Sequence, residues 1–237
     1  MSAVQQYPTL EQFAANVAAV IGKIEVIEQE LYDRILYPTA GIANARFFAT
    51  PIGAGQTTES GLAAGVAKTL ADTNMTQNGQ LPSPQAFWID NIQLDFDPGS
   101  VATANTFVTQ SNQVFAALGT AILQAGWIDK NLILNAGVAT LNIGQKPYYS
   151  NGPLSYFPPR VQKRIDIANG GGAVASFTQT GYVWVDGALR MLDPGLGLAT
   201  GFNFDVTVSF PALQVTGSGF NGRLKCQLGG WLFRAAQ

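Results

Sequence analysis

The chain has 237 residues, a formal net charge of −2 and only 12% charged side chains, about half the roughly 25% usual in a soluble domain. Such a surface suits coverage by other subunits better than life as a monomer, and no run of Lys or Arg offers the clustered cations that nucleic-acid backbones require. With no histidine and one cysteine, the Ser-His-Asp and Cys-His nucleophile systems, most zinc sites, Cys-cluster metal sites and an intrachain disulfide are excluded.

The opening residues MSAVQQYPTLEQF carry no basic stretch followed by an apolar run, so no signal peptide is read. Thr9 and Gln12 fit a capping box. Apolar residues then recur at Phe13, Val17, Val20, Ile24, Ile27 and Leu31, alternately four and three apart, which predicts one amphipathic helix stopped by Pro38. Residues 1–38 are therefore expected to be an N-terminal helical segment, ahead of a β domain over 39–237. With Val17, Ile24 and Leu31 at a, and Phe13, Val20 and Ile27 at d, Lys23 falls at g and Glu28 at e. Branched residues at d lean towards trimers. Ile21 at e widens the stripe, which favours docking on a globular surface. Docking on its own or a neighbouring subunit ranks first, a trimer seam second, and membrane contact third, because the polar face is acidic. The six stripe residues are the candidate oligomer interface.

ARFFATPIG (45–53) reads as a short strand closed by Pro51 and Gly53. A helical insertion is expected around 59–72, on Leu62, Val66 and Leu70. LPSP (81–84) leads rigidly into a strong strand, AFWIDNIQLDF (86–96), ended by DPGS. A second helical insertion is expected over 111–126, with Ser111 as N-cap and Gly126 at its end. VATLNIG (138–144), VASFTQTGYVWV (174–185) and ALRML (188–192) follow as strands, with Asp186-Gly187 as a hairpin signal between the last two. FNFDVTVSF (202–210) alternates without a break: Phe202, Phe204, Val206, Val208 and Phe210 on one face, polar residues on the other. RLKCQLGGWLFR (223–234) completes the set. Strands do not alternate strictly with helices, so an antiparallel β-sandwich is expected. Long decorated loops favour the jelly-roll type over an immunoglobulin-like sandwich, for which the Cys…Trp…Cys spacing is missing.

The letters that could carry chemistry read more plainly as structure. Asp90, Asp95 and Asp97 are the densest acidic group and could flank a glycosidic bond, but Asp95 and Asp97 also suit a wet strand end that initiates a turn. Asp95-x-Asp97-x-Gly99 lacks the later ligands of a calcium loop. GSGFNG (217–222) matches GxGxxG, yet a strand follows it where the dinucleotide motif opens a helix. ANGGGAVA (168–175) lacks the Lys-Ser/Thr of a P-loop, and RVQKR (160–164) reads as a loop or subunit contact. Cys226 alternates with Leu224 and Leu228 and reads as buried. No cofactor or metal is expected.

RFFATPIG, DTNMTQNGQLPSPQAFWIDNIQLDF, PLSYFPP and LKCQLGGWLFRAAQ, taken together, resemble virion structural proteins of bacteriophages, the closest type being the jelly-roll coat protein of tailless icosahedral phages. The resemblance rests on texture and short blocks over about half the chain. It implies a non-catalytic subunit located in the virion, standing upright in a self-assembled shell. Its partners would be copies of itself, as trimers within the shell, and other virion proteins. The chain departs from coats with a basic genome-binding arm, so no direct sequence-specific nucleic-acid contact is expected. A lectin-like or receptor-binding module is the alternative, with Tyr148-Tyr149 and Tyr156-Phe157 as its platform. A glycosidase is third.

Overall fold

A computed structural model of the chain describes residues 9–55, 67–98, 128–169, 177–186, 189–219 and 221–236. Helix α1 (Leu10–Ile21) begins as its capping residues predict, the Thr9 side-chain oxygen accepting the Gln12 amide at 3.3 Å. It ends at Gly22, whose φ of 90° lies in the left-handed half of backbone space that glycine tolerates best.

The chain then enters β1 (Ile24–Tyr37), which corrects the expectation of a helix reaching Leu31. Ile24, Ile27 and Leu31 lie on this strand. The four-three spacing runs across the boundary by coincidence, while Leu31, Asp33, Ile35 and Tyr37 alternate inward over the strand's second half. What decides between the two periods is a partner far along the chain: β10 (Gly222–Ala235) pairs with all fourteen residues of β1, from Ile24 opposite Ala235 to Tyr37 opposite Gly222. Such tertiary pairing overrides local helix preference, and branched residues such as Ile24, Val26 and Ile27 suit a strand.

The remaining elements are β2 (Asn44–Phe47), β3 (Ala86–Asp97), a helix α2 over 128–136, β4 (Val138–Ile143), β5 (Lys146–Pro153), β6 (Val161–Asn169), β7 (Phe177–Asp186), β8 (Arg190–Leu198) and β9 (Phe204–Ser209). The expected helix over 111–126 lies outside the described residues, as do Leu62 and Val66, while Leu70 sits in an exposed turn. RVQKR runs into β6 instead of forming a loop. Among the described residues no pairing makes a hairpin of the strands flanking Asp186-Gly187: β7 pairs back with β6, and β8 pairs with β3.

Two antiparallel four-stranded sheets carry the fold, in the orders β1-β10-β3-β8 and β2-β9-β4-β5, with β6-β7 as a separate pair. Without that pair, the pairing is nested. The first strand lies beside the last (β1, β10), the second beside the second-last (β2, β9), then β3 beside β8, and β4 beside β5. Both sheets contribute to one core, including Ile35, Tyr37, Phe96 and Cys226 from the first and Phe47, Leu141, Phe204 and Val206 from the second. The dry face of β9 is therefore covered by the β1-β10-β3-β8 sheet. Tyr37 meets Phe96 of its own sheet edge-on at 5.6 Å between ring centroids and bridges to Phe210, just after β9, at 5.7 Å.

Helix α1 covers the far side of the first sheet. Phe13 is fully buried against Trp88 and Phe233, with ring centroids 5.5 and 5.3 Å away, and Val17 and Ala86 join the same cluster.

Backbone contact is tightest at Gly230, beside the register shift between β10 and β3. A Cβ there would lie 1.8 Å from the Trp88 carbonyl oxygen. Gly230→Ala is expected to cost about 2–3 kcal/mol through forced separation of the strands, seen as a lower denaturant midpoint. An unchanged midpoint would contradict this approach of the two backbones.

Candidate functional site

The most unusual chemistry lies at the inward-facing charge of β1. Alternation along the strand carries Asp33 into the core between Leu31 and Ile35, and pairing places it opposite Cys226 of β10. Lys68 Nζ lies 2.5 Å from Asp33 Oδ1, and both side chains are 0% exposed. Asp33 Oδ2 accepts the Phe48 amide at 2.6 Å and Oδ1 accepts the Arg34 amide at 3.0 Å. Phe48 is held at a φ of 66°, a left-handed conformation that a bulky residue rarely adopts. Its ring is buried against Phe204, at 5.3 Å between centroids.

The segment around Lys68 is tied in place by its own backbone. The Lys68 amide donates to the Ala54 carbonyl at 3.0 Å, and the Gly53 amide donates to the Lys68 carbonyl at 2.8 Å. A few residues on, Asn74 binds the outer edge of β1: its Oδ1 accepts the Tyr32 amide at 3.0 Å and its Nδ2 donates to the Glu30 carbonyl at 2.7 Å. The Thr73 hydroxyl also donates to the Tyr32 carbonyl. Such contacts cover edge groups that would otherwise recruit a foreign strand.

Burial drives the electrostatics. It raises the Asp33 pKa above the ordinary carboxyl value, against the pull of the Lys68 charge. It also pushes the Cys226 thiol well above its ordinary value, with the Asp33 charge adding to the shift, so this thiol stays protonated and unreactive.

The six stripe residues are not brought together. Phe13 and Val17 are buried under α1 in the chain's own outer cluster, Leu31 is in the main core, and Ile24 and Ile27 are half-buried on β1. Val20 alone of the six stands out, 83% exposed.

The acidic group is also dispersed into structural roles. Asp95 pairs with Lys130 of α2 at 2.6 Å, Asp97 pairs with Lys225 of β10, and Asp90 lies at the irregularity between β3 and its neighbours. Asp129, fully buried, accepts the Gly217 and Ser218 amides, so the start of GSGFNG is a turn held by α2, and its last residue, Gly222, opens β10. Among the described residues no group of three or more His, Cys, Asp and Glu side chains could hold a metal ion, and no helix is long and apolar enough to cross a membrane.

The tyrosine platform divides. Phe157 is buried and meets the Tyr149 ring edge-on at 5.4 Å, and Arg190 donates to the Tyr149 hydroxyl at 2.8 Å. Tyr156 remains exposed.

Sequence reading missed the Asp33–Lys68 pair because it took residues 24–37 for a helix. Read as a strand, Asp33 shares its parity with Leu31, Ile35 and Tyr37, and an inward carboxylate is then visible. Nothing local to Lys68 names it as the partner. No protein-family model matches the chain, and neither a curated protein nor a solved structure matches it.

Proposed function

We propose that the protein is a non-catalytic virion subunit: a jelly-roll coat protein of a tailless icosahedral phage, acting by self-assembly with copies of itself, as trimers in a shell, and with other virion proteins. The observation that supports this most is the nested pairing of the eight strands, each joined to its counterpart from the other end of the chain. A long antiparallel hairpin rolled into two sheets would produce that order, and this supports reading the chain as a jelly roll, the architecture used by viral coats and lectins alike. On this reading β6-β7 is an insertion between the fifth and sixth strands of the roll.

The fold alone does not select a function. The 12% charge content favours burial of the surface by other subunits. Outward apolar side chains, including Val20, Leu213 and Val215, each at least 60% exposed, add to that case. The lectin-like alternative is weakened because Tyr149 and Phe157 pack on one another and Tyr148 packs against the core, leaving Tyr156 as the one exposed ring of the four rather than a stacking platform.

Purified full-length protein is expected to sediment as trimers or larger particles at micromolar concentration, with closed lattices visible by electron microscopy. A monodisperse monomer would overturn the coat reading and promote the binding module. Val20→Asp tests the outward face of α1. Its exposed position predicts a stability change within about 0.5 kcal/mol, together with loss of assembly. Normal particles from this variant would remove α1 from the subunit contacts.

A further inference from the structure

We propose that Lys68 and Asp33 are joined by an intramolecular amide bond between Lys68 Nζ and Asp33 Cγ, formed in the folded chain without an external enzyme. The crosslink would tie the segment around Lys68 to β1, independently of whether the protein assembles into a shell.

Three features of the site meet the needs of that condensation. The amine and the carboxyl group are already in contact at 2.5 Å and fully buried, so the entropy of bringing them together is spent during folding. Asp33 Oδ1 is the only hydrogen-bond acceptor of the Lys68 amine among the described residues, and both groups lie in a dry core. A buried charge in that position is disfavoured, and proton transfer within the pair gives a neutral amine and a neutral acid. Burial raises the Asp33 pKa in the same direction. The neutral amine is the nucleophilic form.

The third feature is the Phe48 amide, 2.6 Å from Asp33 Oδ2. When Nζ adds to Cγ, negative charge develops on Oδ2, and a fixed N–H aimed at that atom stabilises it. Phe48 keeps this orientation at a φ of 66°, an unfavourable conformation of the kind that persists where the surrounding structure enforces it.

The bond changes balance without a further reactant. The amine lone pair of Lys68 forms the new C–N bond at Asp33 Cγ while the C=O electrons move to Oδ2. An amine proton passes to the hydroxyl at Oδ1, the C–O bond to Oδ1 breaks, and water leaves as the C=O bond re-forms. No group is oxidised or reduced.

The full chain, purified and then unfolded, is expected to have a mass lower than its sequence mass by one water molecule. Trypsin should then release residues 24–34 attached to residues 47–130, because an acylated Lys68 is not cleaved. Lys68→Arg should restore the unshifted mass and a free 24–34 peptide. An unshifted wild-type mass would overturn the proposal, whether or not the variant folds. Dehydration confined to residues 24–34, with ordinary cleavage after Lys68, would overturn it equally.

Discussion

Lys68→Met is expected to lower the unfolding free energy by about 3–5 kcal/mol, the usual loss when one member of a buried pair is removed and the other is left behind. In either bonding state of the wild-type pair, the variant leaves the Asp33 carboxyl group in a site that is 0% exposed. The recorded donors that remain are the Phe48 and Arg34 amides, which do not replace a cation. Replacing both members, Asp33→Leu with Lys68→Met, should recover much of the loss, because an apolar pair carries no desolvation cost.

The dependence on pH has a definite sign. Burial raises the folded-state pKa of Asp33 above its ordinary value of 3.8, and in the Lys68→Met variant the opposing pull of the lysine is gone. A folded chain that binds this proton more tightly than the unfolded chain has its full contribution below 3.8 and loses it as pH rises through the folded value. The variant should therefore be least impaired in acid and progressively worse towards neutrality. Denaturant melts at several pH values would check this, and a deficit that does not vary with pH would clear the stranded carboxylate of responsibility.

Val206→Asp is expected to cost about 3 kcal/mol or more. Val206 is 1% exposed and lies midway along β9, opposite Phe47 of β2 on one side and Leu141 of β4 on the other. A carboxylate there faces the shared core of both sheets. One residue on, Thr207→Asp turns to the polar face, opposite Arg46 and Thr140. That change is milder but not silent. It removes hydrogen bonds of the Thr207 hydroxyl with Asp205 and Asn142 and adds a second carboxylate beside Asp205, which Arg46 already pairs at 2.8 Å. A loss of about 1 kcal/mol follows from those two effects. Equal losses in the two variants would place β9 in the wrong register.

Several elements were legible because their signal is local. FNFDVTVSF alternates over enough positions that a dry face from Phe202 through Phe210 could be assigned before any partner was known, and the residues of that face from Phe204 on are buried. AFWIDNIQLDF and RLKCQLGGWLFR carry the same kind of information, and Thr9 declares the start of α1 because a cap acts within one turn. These features establish an antiparallel, mainly β chain with a helix at its front.

The tertiary structure decided what depends on distant residues. Residues 24–31 keep a helical spacing of apolar side chains, and only pairing with residues 228–235 makes them a strand. The same pairing turned Ile24, Ile27 and Leu31 into parts of the sheet, while Phe13 and Val17 joined the chain's own outer cluster and Val20 was left outward. The Asp33–Lys68 contact joins positions 35 apart in sequence. An inward Asp and a distant Lys are unremarkable letters on their own. They become a site because a strand, a loop and the strained Phe48 backbone exclude water from both at once, and desolvation is a property of the assembled core.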